Sequence, residues 1–360
     1  METFLYNTAM ALVLATALWV VRRHRTAAGA VAAGCGLVSL ACLLAIGLGG
    51  QRFSGVRLLA YGLFLHTGLL LAGVAIILRN RSRPFAIAAA TACLLLELVA
   101  ADSFLVEPHW IEVTHVQIAS PKLSRPLRMA IVADLQTDSV GEYERRALEL
   151  VLREQPDLIV MAGDYIQEWN DGRRAAQQER LRSVLRQIDF RAPLGVYAVR
   201  GNADAPDWEK AFAQTEVTTL DATGSVDVGE LRITGLAMSD SFLTSLRIDP
   251  SERFQIVVGH APDFALGEIH AELLVAGHTH GGQVRLPWLG PIMTQSEVPR
   301  SWAAGVTQLG HDKKLGHDKT LIVSRGIGME RAAAPRIRFL CRPQIVVVDL
   351  VPVGQVSNLP

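Results

Sequence analysis

Four long apolar runs fill the first hundred residues, and nothing else in the chain restricts its fold as strongly. They cover residues 4–21, 27–48, 58–78 and 84–101. A helix rises about 1.5 Å per residue, so crossing the hydrocarbon core of a bilayer takes ~17–25 apolar residues. Within the four runs Glu97 is the one acid or strong base. Uncharged runs of this length specify a bundle of four transmembrane helices over residues 1–101.

Arginine sets the direction of crossing. Arg22, Arg23 and Arg25 lie between the first and second runs, and Arg79, Arg81 and Arg83 between the third and fourth. Arg52 and Arg57 lie between the second and third, and residues 102–121 hold no Lys or Arg. Cytoplasmic loops carry the excess of positive charge. The expected protein is therefore multi-pass in the cell inner membrane, with both termini and everything after residue 101 extracytoplasmic. The first basic cluster follows its apolar run, the reverse of a cleavable signal peptide. The lipid bilayer is thus the first expected partner. His66 and Glu97 are the ionisable groups inside the runs. Neither has a motif around it, so a packed His66 and an interfacial Glu97 are expected, without a functional role.

The chain balances 35 Lys and Arg against 35 Asp and Glu. That argues against nucleic acid as a partner, whose binding leaves a basic footprint. The cysteines at 35, 42, 93 and 341 fit neither a disulfide framework nor a CxxC metal site.

After residue 101 the pattern changes. Residues 102–126 read as a connector, with a partly alternating edge-strand stretch at 111–118. Short apolar runs then recur within 129–138, 157–164, 195–204, 255–263 and 273–280, separated in part by helix-like stretches at 142–153 and 173–187. Further strand-like runs lie at 320–325 and 344–350. This is the alternation of an α/β domain, placed at 127–352, with a tail at 353–360. The first five runs end in turn at Asp134, Asp164, Asn202, His260 and His278-Thr279-His280. Alone, an Asp after a strand is a turn or cap, and an isolated His-x-His is a solvated turn. Together, these residues stand where open α/β sheets collect ligands, at the carboxyl ends of strands. Carboxylate, amide oxygen and imidazole suit Mn, Fe or Zn better than Ca, which prefers oxygen alone. The repeated LGHDK at 309–313 and 315–319 reads as a tandem duplication in a surface loop.

The set Asp134, Gly163-Asp164, Gly201-Asn202, His260 and Gly277-His278-Thr279-His280 resembles the calcineurin-like metallophosphoesterase superfamily, in the family's order and over residues 127–352. HAPD at 260–263, GHTHGGQVRLPWLGP at 277–291 and VSRGIG at 323–328 are similar to its membrane-associated bacterial branch. That branch includes phosphodiesterase-type enzymes and hydrolases of a UDP-diacylglucosamine lipid precursor. The resemblance implies a two-sheet α/β/β/α sandwich that holds two divalent metal ions. By position, Asp164 would bridge both ions. Asp134, Gln136 and His280 would hold the first, and Asn202, His260 and His278 the second. Asp164, Asn202 and Asp204 form the expected catalytic set. The implied reaction is cleavage of a phosphodiester or pyrophosphate by in-line attack of a hydroxide bridging the ions. Its substrate would be a phosphorylated small molecule or a lipid-linked phosphate at the membrane surface. Two ions ~3.5–4 Å apart suit this chemistry, because they neutralise the phosphoryl oxygens and acidify a water between them.

Two positions depart from the family. Gln136 stands in place of a histidine, and its carbonyl is a weaker ligand than imidazole. Asp138 is a nearby source of an extra oxygen. Ala203 replaces a histidine that assists the leaving group, help worth ~10²–10⁴-fold. The loss predicts a preference for leaving groups that depart without a proton. The same two departures define the alternative function: a metal- or phosphate-binding pseudoenzyme without turnover.

Overall fold

The computed structural model describes residues 1–24, 26–49, 52–312, 314–331 and 333–354. Arg25, Lys313 and residues 355–360 of the expected tail lie outside the described residues. The chain divides into two compact units, Met1–Val106 with Glu330–Arg336, and Glu107–Met329 with Ile337–Pro360.

The first unit is helical: α1 (Glu2–His24), α2 (Ala27–Leu48), α3 (Arg52–Ala60), α4 (Gly68–Leu78) and α5 (Arg83–Ala101). A π-helical stretch, Tyr61–Thr67, joins α3 to α4 in one continuous span. Among the described residues, four stretches are long and apolar enough to cross a membrane: Glu2–His24, Ala28–Leu48, Phe53–Leu78 and Arg83–His109. Tyr6, Met10, Val21, Leu37, Leu58 and Leu78 are buried between helices, while Leu12, Trp19, Leu43, Ile46, Ile76 and Leu94 point outward. Helices that are apolar all round need an apolar surrounding. His66 is packed as expected, its Nε2 lying 2.9 Å from Asn7 Oδ1.

The expected connector carries regular structure. Asp102–Val106 extends α5 as a π-turn, because Ser103-Phe104-Leu105-Val106 prolongs the apolar face past a lone Asp102. Glu112–Ser120 forms β1, the edge of the first sheet in the second unit. The other strands are β2 (Leu127–Val132), β3 (Leu158–Met161), β4 (Val196–Val199), β5 (Val217–Leu220), β6 (Gly224–Val228), β7 (Leu231–Gly235), β8 (Phe254–Val258), β9 (Leu273–Ala276), β10 (Gly305–Asp312), β11 (His317–Val323) and β12 (Gln344–Pro352). They form two six-stranded sheets, ordered β1-β12-β2-β3-β4-β5 and β10-β11-β9-β8-β7-β6. β2 to β5 are mutually parallel, as are β7, β8, β9 and β11.

Strand side chains alternate between faces, and both faces of these strands are apolar. Met129, Ile131, Leu158 and Val160 meet Ile233, Ile256, Leu273 and Val275 between the sheets. Ala130, Val132, Ile159 and Met161 face the other way, with Leu148, Val151, Leu181 and Leu185. The latter four lie on α6 (Glu142–Arg153) and α7 (Asp171–Gln187). Burial on two faces explains why these strands read as continuous apolar runs. The outer face of the second sheet is covered differently. Val257, Leu274 and Leu321 pack under Phe264, Ala265 and Trp302, which lie in single-turn 3₁₀ segments. Most of the LGHDK repeat is strand, not loop, with Leu315 and Gly316 of the second copy in the turn. The two copies face each other across the β10–β11 hairpin, with Gly310 opposite Lys319 and Asp312 opposite His317.

Candidate metal centre

Because β2, β3 and β4 run in parallel, their carboxyl ends share one edge of the first sheet. Asp134, Asp164 and Asn202 stand just beyond them. β8 and β9 likewise deliver His260, His278 and His280 from the second sheet. Five of these ligand candidates have left-handed backbone: Asp134 (φ 48°), Gln136 (29°), Asp164 (55°), His278 (67°) and His280 (48°). Non-glycine residues rarely adopt that conformation, and surrounding bonds must hold them there. Asp134 N donates to Gly163 O at 3.0 Å and Gln136 N to Asp164 O at 2.8 Å, tying the first two loops together. Close approach also needs glycine. A Cβ on Gly201 would lie 2.1 Å from Asp164 Oδ1, and one on Gly277 would lie 2.7 Å from Asp134 Oδ2.

Asp134, Asp164 and His260 each offer a ligand atom within 4.8 Å of the others, and all three are buried. His260 Nδ1 lies 2.9 Å from Ala162 O, which fixes the proton on that nitrogen. Its Nε2 faces Asn202 Oδ1 at 2.8 Å and Asp164 Oδ2 at 3.4 Å. An imidazole nitrogen, an amide oxygen and a carboxylate oxygen thus converge, a set that a cation can hold once the ring proton leaves. His278 N donates to both Asp134 oxygens, at 3.0 and 3.1 Å. The His278 ring stands 5.0 Å from that of His260, and its Nε2 donates to Gln295 O at 3.1 Å. His280 Nδ1 is buried with no hydrogen-bond partner among the described residues, a costly state unless a ligand meets it. These donors fit divalent metal ions.

Three expected residues take other positions. The Gln136 amide nitrogen donates to Gln167 Oε1 at 3.2 Å. Asp204 is buried, and its carboxylate accepts the backbone N–H groups of Asp164 (2.9 Å), Tyr165 (2.7 Å), Ile166 (3.3 Å) and Gly201 (2.9 Å). It ties the β3 and β4 loops together and positions Asp164. Asp138 is half-buried and stands apart from the group of Asp134, Asp164 and His260.

The charges are mutually dependent. Burial pushes the Asp134 carboxyl up to about 7 against the pull of His260. Burial and the Asp164 charge push Asp204 up to about 7. Burial also works against Asp164, but His260 and the Ala203 N–H, at 2.7 Å, hold it below the usual carboxylate range. Burial lowers His260, yet Asp164 and Asp134 together carry it up to about 9. Burial and the His260 charge push His278 down to about 4, and burial with Arg338 keeps His280 neutral. His278 and His280 are thus neutral, as metal ligation requires, while His260 has to give up a proton to bind an ion.

Two further residues support the site. Arg338 is fully buried and donates to the carbonyls of Cys341 (2.9 Å), Arg325 (2.9 Å), Gly326 (3.2 Å) and Gly328. It braces the turn whose Ile327 and Gly328 N–H groups meet Asp134 O at 3.2 and 2.6 Å. VSRGIG marked that turn in the sequence, but Arg338 lies outside any pattern. Asp263, in HAPD, accepts from the Ser296 hydroxyl and from Glu297 N at 2.7 Å, pinning the strip that presents Gln295 O to His278.

Residues 127–282 match the calcineurin-like phosphoesterase family. The matched stretch opens with β2 and closes just after His280, so it contains every ligand candidate. The chain is similar to the uncharacterized metallophosphoesterase YkuE of Bacillus subtilis, 29% identical over 267 residues that cover 68% of this chain and 87% of that protein. It is similar to the phosphodiesterase YaeI of Escherichia coli, 26% identical over 261 residues, 68% of this chain and 90% of the relative. A metallophosphoesterase of Aquifex aeolicus is 25% identical over 266 residues, 68% and 94% of the two chains. The strand-end carboxylates and imidazoles that gather in one buried cluster all lie within the stretch that matches the calcineurin-like phosphoesterase family, and the relatives are named as metallophosphoesterases and a phosphodiesterase, which supports a metal-dependent phosphoester hydrolase.

Proposed function

We propose that this chain is a two-metal phosphohydrolase that cleaves a phosphodiester or pyrophosphate at a membrane surface. The observation that carries the reading is the buried convergence of Asp134, Asp164 and His260. Asp164 would be shared between two ions, with Asp134, Gln136 and His280 on one side and Asn202, His260 and His278 on the other. Mn, Fe or Zn fit this mixed oxygen and nitrogen set. When bound, such a pair neutralises phosphoryl oxygens and supplies hydroxide near neutral pH.

The chain's own residues do the rest. The Ala162 carbonyl fixes the tautomer of His260, and Asp204 and the Ala203 N–H fix Asp164. Asn202 is exposed at the lip of the cluster, where an incoming phosphate arrives. Ala203 offers no proton to a departing group, so leaving groups that depart as stable anions are favoured. Such a group is a nucleoside monophosphate released from a pyrophosphate. Attachment to four apolar spans favours lipid or lipid-linked phosphates as substrates. The arginine distribution favours a position for this unit outside the cytoplasm, on an inner membrane. A C-terminal reporter active in the cytoplasm alone would reverse that placement, and a cytoplasmic nucleotide-lipid precursor would become the leading substrate.

The test combines metal analysis of the purified full chain with assays on a panel of phosphodiesters, pyrophosphates and monoesters. Two divalent ions per chain, with turnover of activated diesters or pyrophosphates, are expected. Bound ions without turnover on any substrate would favour the pseudoenzyme, to which Gln136 and Ala203 point. A chain that takes up no ion would end both readings.

A further inference from the structure

We infer that the first unit carries a binding site for an anionic, phosphate-bearing lipid headgroup, separate from the metal centre. The site is a groove of about 500 Å³ lined by Arg57, Arg331 and Arg336 above Tyr61, Phe64 and Phe104. All its lining residues belong to the first unit, which takes in Glu330–Arg336 from late in the chain.

Charge is the first support. Three guanidinium groups line the groove and, among the described residues, no carboxylate does. Arg57 Nε is buried without a hydrogen-bond partner among the described residues. A planar guanidinium in such a place is matched to phosphate oxygens, which accept two of its N–H groups at once. Depth is the second support. Arg57 lies near the start of the span Phe53–Leu78, and Phe104 lies near the end of the span Arg83–His109. Successive spans cross in opposite directions, so these two positions share one face of a bilayer. The arginines would then sit at headgroup level, with the apolar residues at the level of the first acyl carbons. Shape is the third support. Phe64 and Phe104 meet edge to face, with centroids 5.5 Å apart. They come from the two π-helical stretches, Tyr61–Thr67 and Asp102–Val106. π-turns interrupt regular helix packing and recur at functional sites. Here they supply the floor of the groove.

The inference rests on the four helices crossing a bilayer, and it is independent of catalysis. The experiment uses the full chain in nanodiscs or mild detergent, with native mass spectrometry as readout. The probes are phosphatidylglycerol, phosphatidylcholine and soluble glycerol phosphate. Phosphatidylglycerol should bind in preference to phosphatidylcholine, and glycerol phosphate should not displace it. Each arginine near a bilayer surface contributes enough attraction that Arg57→Gln should weaken phosphatidylglycerol binding about fivefold. The double variant Arg331→Gln/Arg336→Gln should weaken it further, and it serves where Arg57→Gln fails to fold. Hydrolysis of a soluble diester should stay unchanged in every variant. Equal binding of both lipids by the wild type, or an undiminished preference in the double variant, would overturn the site. Displacement by glycerol phosphate would show a free-phosphate site and also overturn it. A chain recovered without detergent in the soluble fraction would instead overturn the membrane reading.

Discussion

The two sheets of the second unit supply different halves of one centre. The first sheet brings oxygen, through Asp134 after β2, Asp164 after β3 and Asn202 after β4. The second brings nitrogen, through His260 after β8 and His278 and His280 after β9. The difference follows from the surroundings. Carboxylates need hydrogen-bond donors, and the β3 and β4 loops give them backbone N–H groups, such as that of Ala203 to Asp164 at 2.7 Å. Imidazoles need an acceptor for one nitrogen so that the other stays free. Ala162 O and Gln295 O provide it for His260 and His278. An oxygen half alone would bind hard cations weakly. A nitrogen half alone would lack the charge to offset two ions.

The largest effect should come from removing Asp164, the oxygen ligand proposed to be shared. Asp164→Asn should lower kcat by more than ~10²-fold, beyond the loss typical of residues that only orient a ligand. Its metal content should fall at the same time. Loss of activity with two ions retained would show that Asp164 does not bridge them. Next in size is a repair on the oxygen side. Ala203→His should raise turnover of alkyl phosphates by up to ~10²-fold, with little gain on pyrophosphates. Equal gains on both would break the account of the leaving group. Asp204→Asn comes third and tests the scaffold. It should reduce activity by ~10-fold or more through misplacement of Asp164, with a lower Tm, because buried N–H groups lose their acceptor. Gln136→His gives the oxygen half a third type of donor and should tighten the looser ion about tenfold. Competition with a graded chelator would measure it.

Metal removal should depend on pH with a definite sign. In the metal-free protein Asp134 is raised from 3.8 to about 7 and His260 from 6.5 to about 9. A raised folded-state value stabilises at low pH, and that contribution is lost as pH climbs through the folded value. Asp134 therefore loses it between 3.8 and about 7, and His260 between 6.5 and about 9. Asp164, held below its ordinary value, contributes throughout this window and changes only in acid. Above pH 6.5, where the lowered His278 and His280 no longer change, the gap in Tm between metal-loaded and chelated protein should widen towards pH 9, as differential scanning calorimetry would show. A gap that narrows with rising pH would contradict the charge assignment.

Much of this was legible before any fold was known. Strands β2, β3, β4, β8 and β9 are buried on both faces, and continuous burial leaves an unbroken apolar run. Each run stops where the chain turns, and the stop displays the ligand. The hairpin β6–β7 was not read from the sequence, since β6 is mostly exposed, although Gly229 in a two-residue turn with φ 57° is a hairpin signal. Arg338 and Asp204 were harder still. Nothing in the neighbourhood of Arg338 shows that its guanidinium will meet carbonyls from four separate residues. Asp204 follows Asn202 closely enough to read as part of the chemistry, but its burial assigns it to the backbone.

Local chemistry, by itself, determined four spans, an alternation of strand and helix, and the donor types at five strand ends. These depend on the side chain and its nearest neighbours, and a linear text records both. Only the tertiary structure decided that Asp134 and His260, far apart in sequence, stand 3.8 Å apart. It alone decided that Arg57 shares a groove with Arg331 and Arg336. Such pairings are set by how sheets stack and helices pack, and that depends on the whole buried surface.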